Sequence, residues 1–138
     1  MAGFDFRYRI SGAAPTIQVL KAKDTETLTK GDILNLESGE VDLGATADVN
    51  ILGVCLDTGA RTDSTTDVYV ITDADAVYGV ADANARVVGA TLDLSGATGA
   101  QTVAASSNKE FVVVAPSTAT EETLVRVNVG KHFANKAQ

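Results

Sequence analysis

The residues of this chain best suited to chemistry are one histidine, one cysteine and a string of aspartates. Nucleophilic catalysis needs a nucleophile, a base and a group that orients the base. His132 is the single candidate imidazole, and no Gly-x-Ser-x-Gly turn accompanies it. Cys55 lies in the apolar run Ile51-Leu-Gly-Val-Cys-Leu56 with no base beside it, so it reads as a small buried side chain, not a reactive thiol. One histidine and one cysteine cannot make the usual zinc sites. Asp63, Asp67, Asp73 and Asp75 could hold a hard cation through oxygen, but the EF-hand spacing of ligands is missing. Aspartates in such places more often cap turns. Gly96-Ala-Thr-Gly99 is too short for a dinucleotide fingerprint, and Gly130-Lys131 lacks the rest of a phosphate loop. A carboxylate pair for glycoside cleavage is compatible with the composition, yet the absence of Trp weakens a sugar-binding cleft. The expectation is a non-enzyme with no cofactor and no metal.

The elements that position these residues read as strands. The 138 residues suit one domain, and 45% hydrophobic content supports a real core. Aromatics are only 5%, so Val, Ala, Leu and Thr must build it. Leu34 and Leu36 alternate with Asn35, and Val41 and Leu43 flank Asp42, the period of half-buried strands. Between them Glu37-Ser-Gly-Glu40 predicts a bulged hairpin loop, with Gly39 supplying a positive φ. Ile51–Leu56 is nearly all apolar and predicts a strand covered on both faces. Further strands are expected over 16–23, 68–71, 77–80, 92–94, 101–103, 111–114 and 125–129. Asp82 predicts a helix N-cap, with Ala83–Val88 as a short helix and Gly89 as its C′ residue. The polar stretch 57–66 predicts a long loop, mobile or interacting. A faint echo links Gly31-Asp-Ile-Leu-Asn-Leu with Gly89-Ala-Thr-Leu-Asp-Leu, each opening a hairpin followed by an apolar strand, a loop and another strand. The offset of roughly 58 residues predicts two related halves that cover each other's apolar sides.

The ends differ from the middle. Phe4, Phe6 and Tyr8 alternate with Asp5, Arg7 and Arg9. Residues 1–15 therefore read as an extended arm that adds a strand to a partner's sheet edge, or as the first strand of the domain's own sheet. The β domain is expected over 16–130, and 131–138, with Lys131, His132 and Phe133, as a tail. The chain carries a net −7, with a net +3 over residues 1–23 and another +3 over 126–138. An acidic body disfavours nonspecific binding to nucleic acid. The basic ends suggest docking to an acidic surface, or are simply solvated. No apolar run approaches a membrane span, and the first residues lack the apolar core of a signal peptide.

The hairpin Leu28–Ala45, its sequel Ile51-Leu-Gly-Val-Cys-Leu and the segment Asp82-Ala-Asn-Ala-Arg-Val-Val-Gly-Ala-Thr-Leu-Asp-Leu resemble tailed-phage head decoration proteins, also called capsid cement or stabilisation proteins. The resemblance covers most of residues 16–130. It implies an all-β, compact sandwich or barrel-like (β-tulip-like) domain. It also implies a structural virion protein, made in the host cytoplasm and placed on the outer capsid surface. Such proteins commonly sit as homotrimers at threefold or quasi-threefold positions and clamp adjacent major capsid protein subunits of the expanded shell. The contacts it implies are Phe4, Phe6, Arg7, Tyr8 and Arg9 from the arm, and Lys131, His132 and Phe133 from the tail. The alternative is a β-rich binding module of a phage tail, fibre or surface protein that recognises a carbohydrate or receptor through residues 57–66.

Overall fold

The computed structural model describes residues 3–23, 25–60, 66–82, 84–105, 107–116 and 122–135. Among them the chain forms thirteen strands: β1 (Phe4–Arg9), β2 (Ile17–Lys21), β3 (Thr27–Leu28), β4 (Ile33–Glu37), β5 (Glu40–Leu43), β6 (Ile51–Val54), β7 (Gly59–Ala60), β8 (Asp67–Ile71), β9 (Ala76–Ala81), β10 (Thr91–Ser95), β11 (Thr102–Ala105), β12 (Phe111–Pro116) and β13 (Glu122–Val127). Two 3-10 turns, Val129–Lys131 and Phe133–Asn135, follow. The fold is all-β, as expected, and its sheets are open: a six-stranded antiparallel sheet in the order β1-β9-β13-β12-β10-β11, a three-stranded sheet β5-β4-β6, and the pairs β2-β8 and β3-β7.

Alternation in sequence explains the layering. In β4, Ile33 faces the main core while Leu34 faces a second one. In β6, Ile51 and Val54 join the main core, and Leu52 with the following Cys55 joins the second. The strand expected to be covered on both faces is therefore the shared wall between two cores. On one side the six-stranded sheet contributes Phe4, Tyr78, Val80, Leu94, Phe111, Val113 and Val125. On the other, Val68 and Val70 of β8 close a smaller cluster with Leu28 and Val41. The β4–β5 hairpin pairs Leu36 with Val41 and Glu37 with Glu40, leaving only Ser38 and Gly39 in the loop. Both have positive φ, 51° and 80°, which makes a two-residue type I′ turn and not the bulged loop expected.

The echo in the sequence has a topological counterpart. β4 pairs with both β5 and β6, and Cys55 after β6 bridges Val70 of β8, which pairs with β2. β10 pairs with both β11 and β12, β12 pairs with β13, and β13 pairs with β9. The orders β5-β4-β6-β8-β2 and β11-β10-β12-β13-β9 match strand for strand. Each half also curls the same way. Lys23 N–H after β2 donates to Val41 O of β5 at 2.8 Å, and the Thr102 hydroxyl of β11 donates to Ala81 O of β9 at 3.3 Å.

Three expectations need correction. The described residues of 82–88 form no helix. Asp82 instead accepts from Arg86 Nε at 2.7 Å, Asn84 N–H at 3.3 Å and the Thr123 hydroxyl at 3.2 Å, tying the connection to β13. Gly89 does take a positive φ, 89°, but within a turn closed by Ala90 N–H to Val87 O. The adjacent β-branched Val87 and Val88 disfavour helix. Second, of the two readings open for the N-terminal stretch, the partner-seeking arm gives way over Phe4–Arg9 to the other: these residues are an edge strand of the chain's own sheet, antiparallel to β9. Third, the expected tail is docked through residue 135: His132 bridges Ile51, and Phe133 packs on the second core. In the loop expected over 57–66, Gly59–Ala60 pairs with β3, and residues 61–65 lie outside the described residues. Lys136 lies outside them too.

Candidate interaction surface

The residues expected to grip a partner are divided between core and surface. Phe4 is fully buried and stacks on Phe111, with ring centroids 5.1 Å apart and planes at 24°. Its N–H donates to Gly31 O at 2.8 Å. Phe6 is half-buried, edge-on to Tyr78 at 6.4 Å. Arg7 Nη2 lies 2.6 Å from Glu122 Oε1, so the pair spans β9 from β1 to β13. Gly79 makes room for it: a Cβ there would sit 1.5 Å from Glu122 Oε1. Arg9 Nε donates to Asp75 Oδ1 at 2.8 Å, and Arg9 Nη1 lies 3.5 Å from Asp73. Desolvation pushes the Asp75 carboxyl up, but hydrogen bonds from Arg9 and from Ser11 N–H outweigh it and hold the pKa at about 2. Of the five N-terminal candidates, Tyr8 presents the large exposed apolar surface, followed in the chain by exposed Ile10.

The C-terminal candidates are inward-facing. His132 is completely buried, and its Nδ1 accepts Ala134 N–H at 3.1 Å. Burial pushes its pKa below the usual imidazole value, disfavouring the protonated ring. Phe133 is half-buried, its ring 5.0 Å from that of His132. Lys131 is partly exposed in the last residue of its 3-10 turn. The structure thus keeps the two predicted groups on separate elements, β1 and the C-terminal turns.

A third group was missed. Ile17 and Val19 of β2 are 52% and 50% exposed, and Tyr69 of β8, directly opposite Val19, is 47% exposed. The register turns the odd-numbered edge of β2 away from β8, and β5 meets that edge only at its end, where Ala22 bridges Val41. Thr72 N–H donates to Thr16 O and Ala22 N–H to Thr66 O, so the even-numbered residues bond to β8. Ile17 and Val19 therefore turn their N–H and C=O away from β8. The sequence held a signal: Lys21 and Lys23 share the odd face with Ile17 and Val19, which marks that face as the solvated one.

The carboxylates with perturbed environments serve the fold. Asp93 Oδ1 accepts the successive N–H groups of Ser107, Asn108 and Lys109, at 3.0, 2.8 and 2.8 Å. These bonds outweigh desolvation and hold its pKa at about 2. Asp42 goes the other way: burial first, then Glu37 beside it, pushes the carboxyl up to about 7. Among the described residues, no group of three or more His, Cys, Asp or Glu is arranged to hold a metal ion. No helix among them is long and apolar enough to cross a membrane. The arrangement offers edges and apolar faces to a partner. No protein-family model matches the chain, and no curated protein sequence matches it.

Proposed function

We propose that this chain is a structural virion protein that binds the outer surface of a phage capsid. In this reading it sits as a homotrimer at threefold or quasi-threefold sites and clamps adjacent major capsid protein subunits of the expanded shell. The observation that supports it is the exposure of Tyr8, Ile10, Ile17, Val19 and Tyr69 on or beside ordered strands of a domain that already has two filled cores. Folding does not require these side chains outside, and contact with a partner buries them. A modest contact repeated around a trimer suffices, because linked sites gain from effective concentration.

The test is binding to expanded capsids that lack their decoration. Removing residues 2–10 is unsuitable, because Phe4 is a core residue. Tyr8→Ser with Ile10→Ser leaves the core intact and strips the exposed end of β1. The wild-type chain should saturate the capsids at a fixed copy number and raise their resistance to heat. The double variant should bind at least tenfold more weakly with an unchanged melting transition. A wild-type chain that does not bind expanded capsids, while folded, would dispose of the proposal.

A further inference from the structure

Matching positions in the two halves carry different polar residues. Asn35 is the third residue of β4, and Asp93 the third of β10. Asn50 stands just before β6, and Glu110 just before β12. Leu36 N–H donates to Asn50 O, and Leu94 N–H to Glu110 Oε1, both at 2.9 Å. The same place in the fold thus holds two amides in the first half and two carboxylates in the second. The amides serve each other, with Asn50 N–H donating to Asn35 Oδ1 at 3.2 Å, so the fold does not need charge there. The carboxylates are less well served. Glu110 is wholly buried and Asp93 nearly so. Neither has an ion-pair partner among the described residues. Glu110 Oε2 has no hydrogen-bond partner among them at all. Glu110 Oε1 and Asp93 Oδ2 converge on Thr46 Oγ1, at 3.2 and 3.5 Å. A hydroxyl has one proton to give, and this one already accepts from Asn108 Nδ2 at 3.2 Å. Buried charges are normally paired or coordinate a metal.

We propose that Glu110, Asp93 and Thr46 bind a hard divalent cation of the Ca²⁺ and Mg²⁺ class. The three side chains offer only oxygen, which suits these ions and not softer metals. Glu110 supplies its unpartnered Oε2, Asp93 its Oδ2 and Thr46 its hydroxyl oxygen. Asp93 does so without leaving its place, because Oδ1 alone holds the N–H groups of residues 107–109. Its Oδ2 otherwise holds the Ser107 hydroxyl at 3.0 Å. Two carboxylates and a hydroxyl do not fill a coordination shell. Thr46 and Asp93 also line an open cavity of about 390 Å³, beside Leu94, Ser95 and Gly96, and water entering there completes the shell. The ion ties the β5–β6 connection of the first half to β10 and to the residue before β12 in the second. It therefore fastens the halves to each other, independently of any docking to a shell.

Calorimetric titration of the full, metal-free chain with calcium chloride and with magnesium chloride tests the site. Wild type should take up one ion per chain of at least one of the two. At a free concentration a hundredfold above the dissociation constant, its melting point should rise by roughly 9 °C. Glu110→Gln keeps the shape and the acceptor for Leu94 N–H but removes the charge. It should bind at least tenfold more weakly, while its metal-free form melts no lower than metal-free wild type. Asp48→Asn removes a charge from the same β5–β6 connection, from a side chain that holds Ala45 N–H, and should leave the affinity unchanged. Folded wild type that takes up neither ion at millimolar concentration overturns the proposal. So does a Glu110→Gln variant that binds as tightly as wild type. Equal weakening by Glu110→Gln and Asp48→Asn also overturns it, because the ion then answers to the acidity of the whole chain and not to a site.

Discussion

Replacing Phe4 by alanine separates an integral strand from a detachable arm. The Phe4 ring is 1% exposed and lies in the main core with Phe111, Tyr78 and Val80. Truncating a buried phenylalanine costs about 3–5 kcal/mol, part of it from the lost stack on Phe111, worth about 0.5–1.5 kcal/mol for such pairs. Taking about 4 kcal/mol and an unfolding entropy of about 2.1 cal/mol/K per residue, the melting point should fall by roughly 14 °C. Tyr8→Ala, four residues on in the same strand but exposed, should shift it by less than about 3 °C. Calorimetry or circular dichroism on the two variants gives the comparison directly, and a double-mutant cycle of Phe4→Ala with Phe111→Leu should return a coupling of about 1 kcal/mol. Equal melting points for Phe4→Ala and wild type would refute the reasoning, because β1 would then contribute nothing to the core.

The other expectations follow from single sites. Asp42 has its pKa raised to about 7 from an ordinary 3.8, so the native state binds the proton more tightly than the unfolded one. Its contribution is fully present below pH 4 and is lost as pH rises through about 7; Asp42→Asn should therefore raise the urea midpoint at pH 8 and leave it nearly unchanged at pH 4. His132 has the opposite linkage: its folded pKa is lowered by burial, so its contribution holds above the unfolded pKa of about 6.5 and is lost as pH falls. By NMR its ring should titrate below the free-imidazole value, and titration at that value would contradict the buried position. Gly53→Ala would place a Cβ 1.8 Å from Ile71 O and 2.7 Å from Tyr78 Oη; a loss of about 3 kcal/mol or more is expected in denaturant unfolding.

Period and turn chemistry made the strands legible, because a half-buried strand writes its two faces into alternate residues. The hairpin around Ser38-Gly39 follows from that rule, and the doubly covered Ile51–Val54 from a nearly unbroken apolar run. What the rule does not reveal is which neighbour covers a face. Phe4-Asp-Phe-Arg-Tyr-Arg has the pattern of any edge strand, and its sheet is decided by β9, some 70 residues away. Asp82 carries a helix-cap signature, but its carboxylate is taken by Arg86 four residues on and by Thr123 of a distant strand. The candidate surface was harder still. Ile17 and Val19 look like core residues by type, and only Lys21 and Lys23 on the same face reveal that they are outside. His132 looked like a tail residue because its burial depends on Ile51, Leu52 and Ala134 assembling around it.

Charge changes its meaning once the fold is known. The basic N-terminal stretch suggested docking to an acidic surface, yet most of its cations are engaged by the chain's own acids: Arg7 with Glu122, Arg9 with Asp73 and Asp75, Lys21 with Asp67, and Lys23 with Glu37 at 3.7 Å. Arg7 and Arg9 tie the edge strand β1 to β13 and to the β8–β9 connection, while Lys21 and Lys23 tie β2 and its extension to β8 and β4. Exposed pairs of this kind add little stability each. Their larger effect is on the surface that remains. By cancelling charge along β1 and β2 they leave those two strands as less acidic margins on an acidic body, and the large apolar side chains exposed on or beside them are Tyr8, Ile10, Ile17 and Val19. A partner meeting these margins removes apolar area from water without also having to overcome the repulsion of an unbalanced acidic face. On the proposed reading, the basic end of the sequence favours association indirectly, by neutralising the strands that would meet the partner.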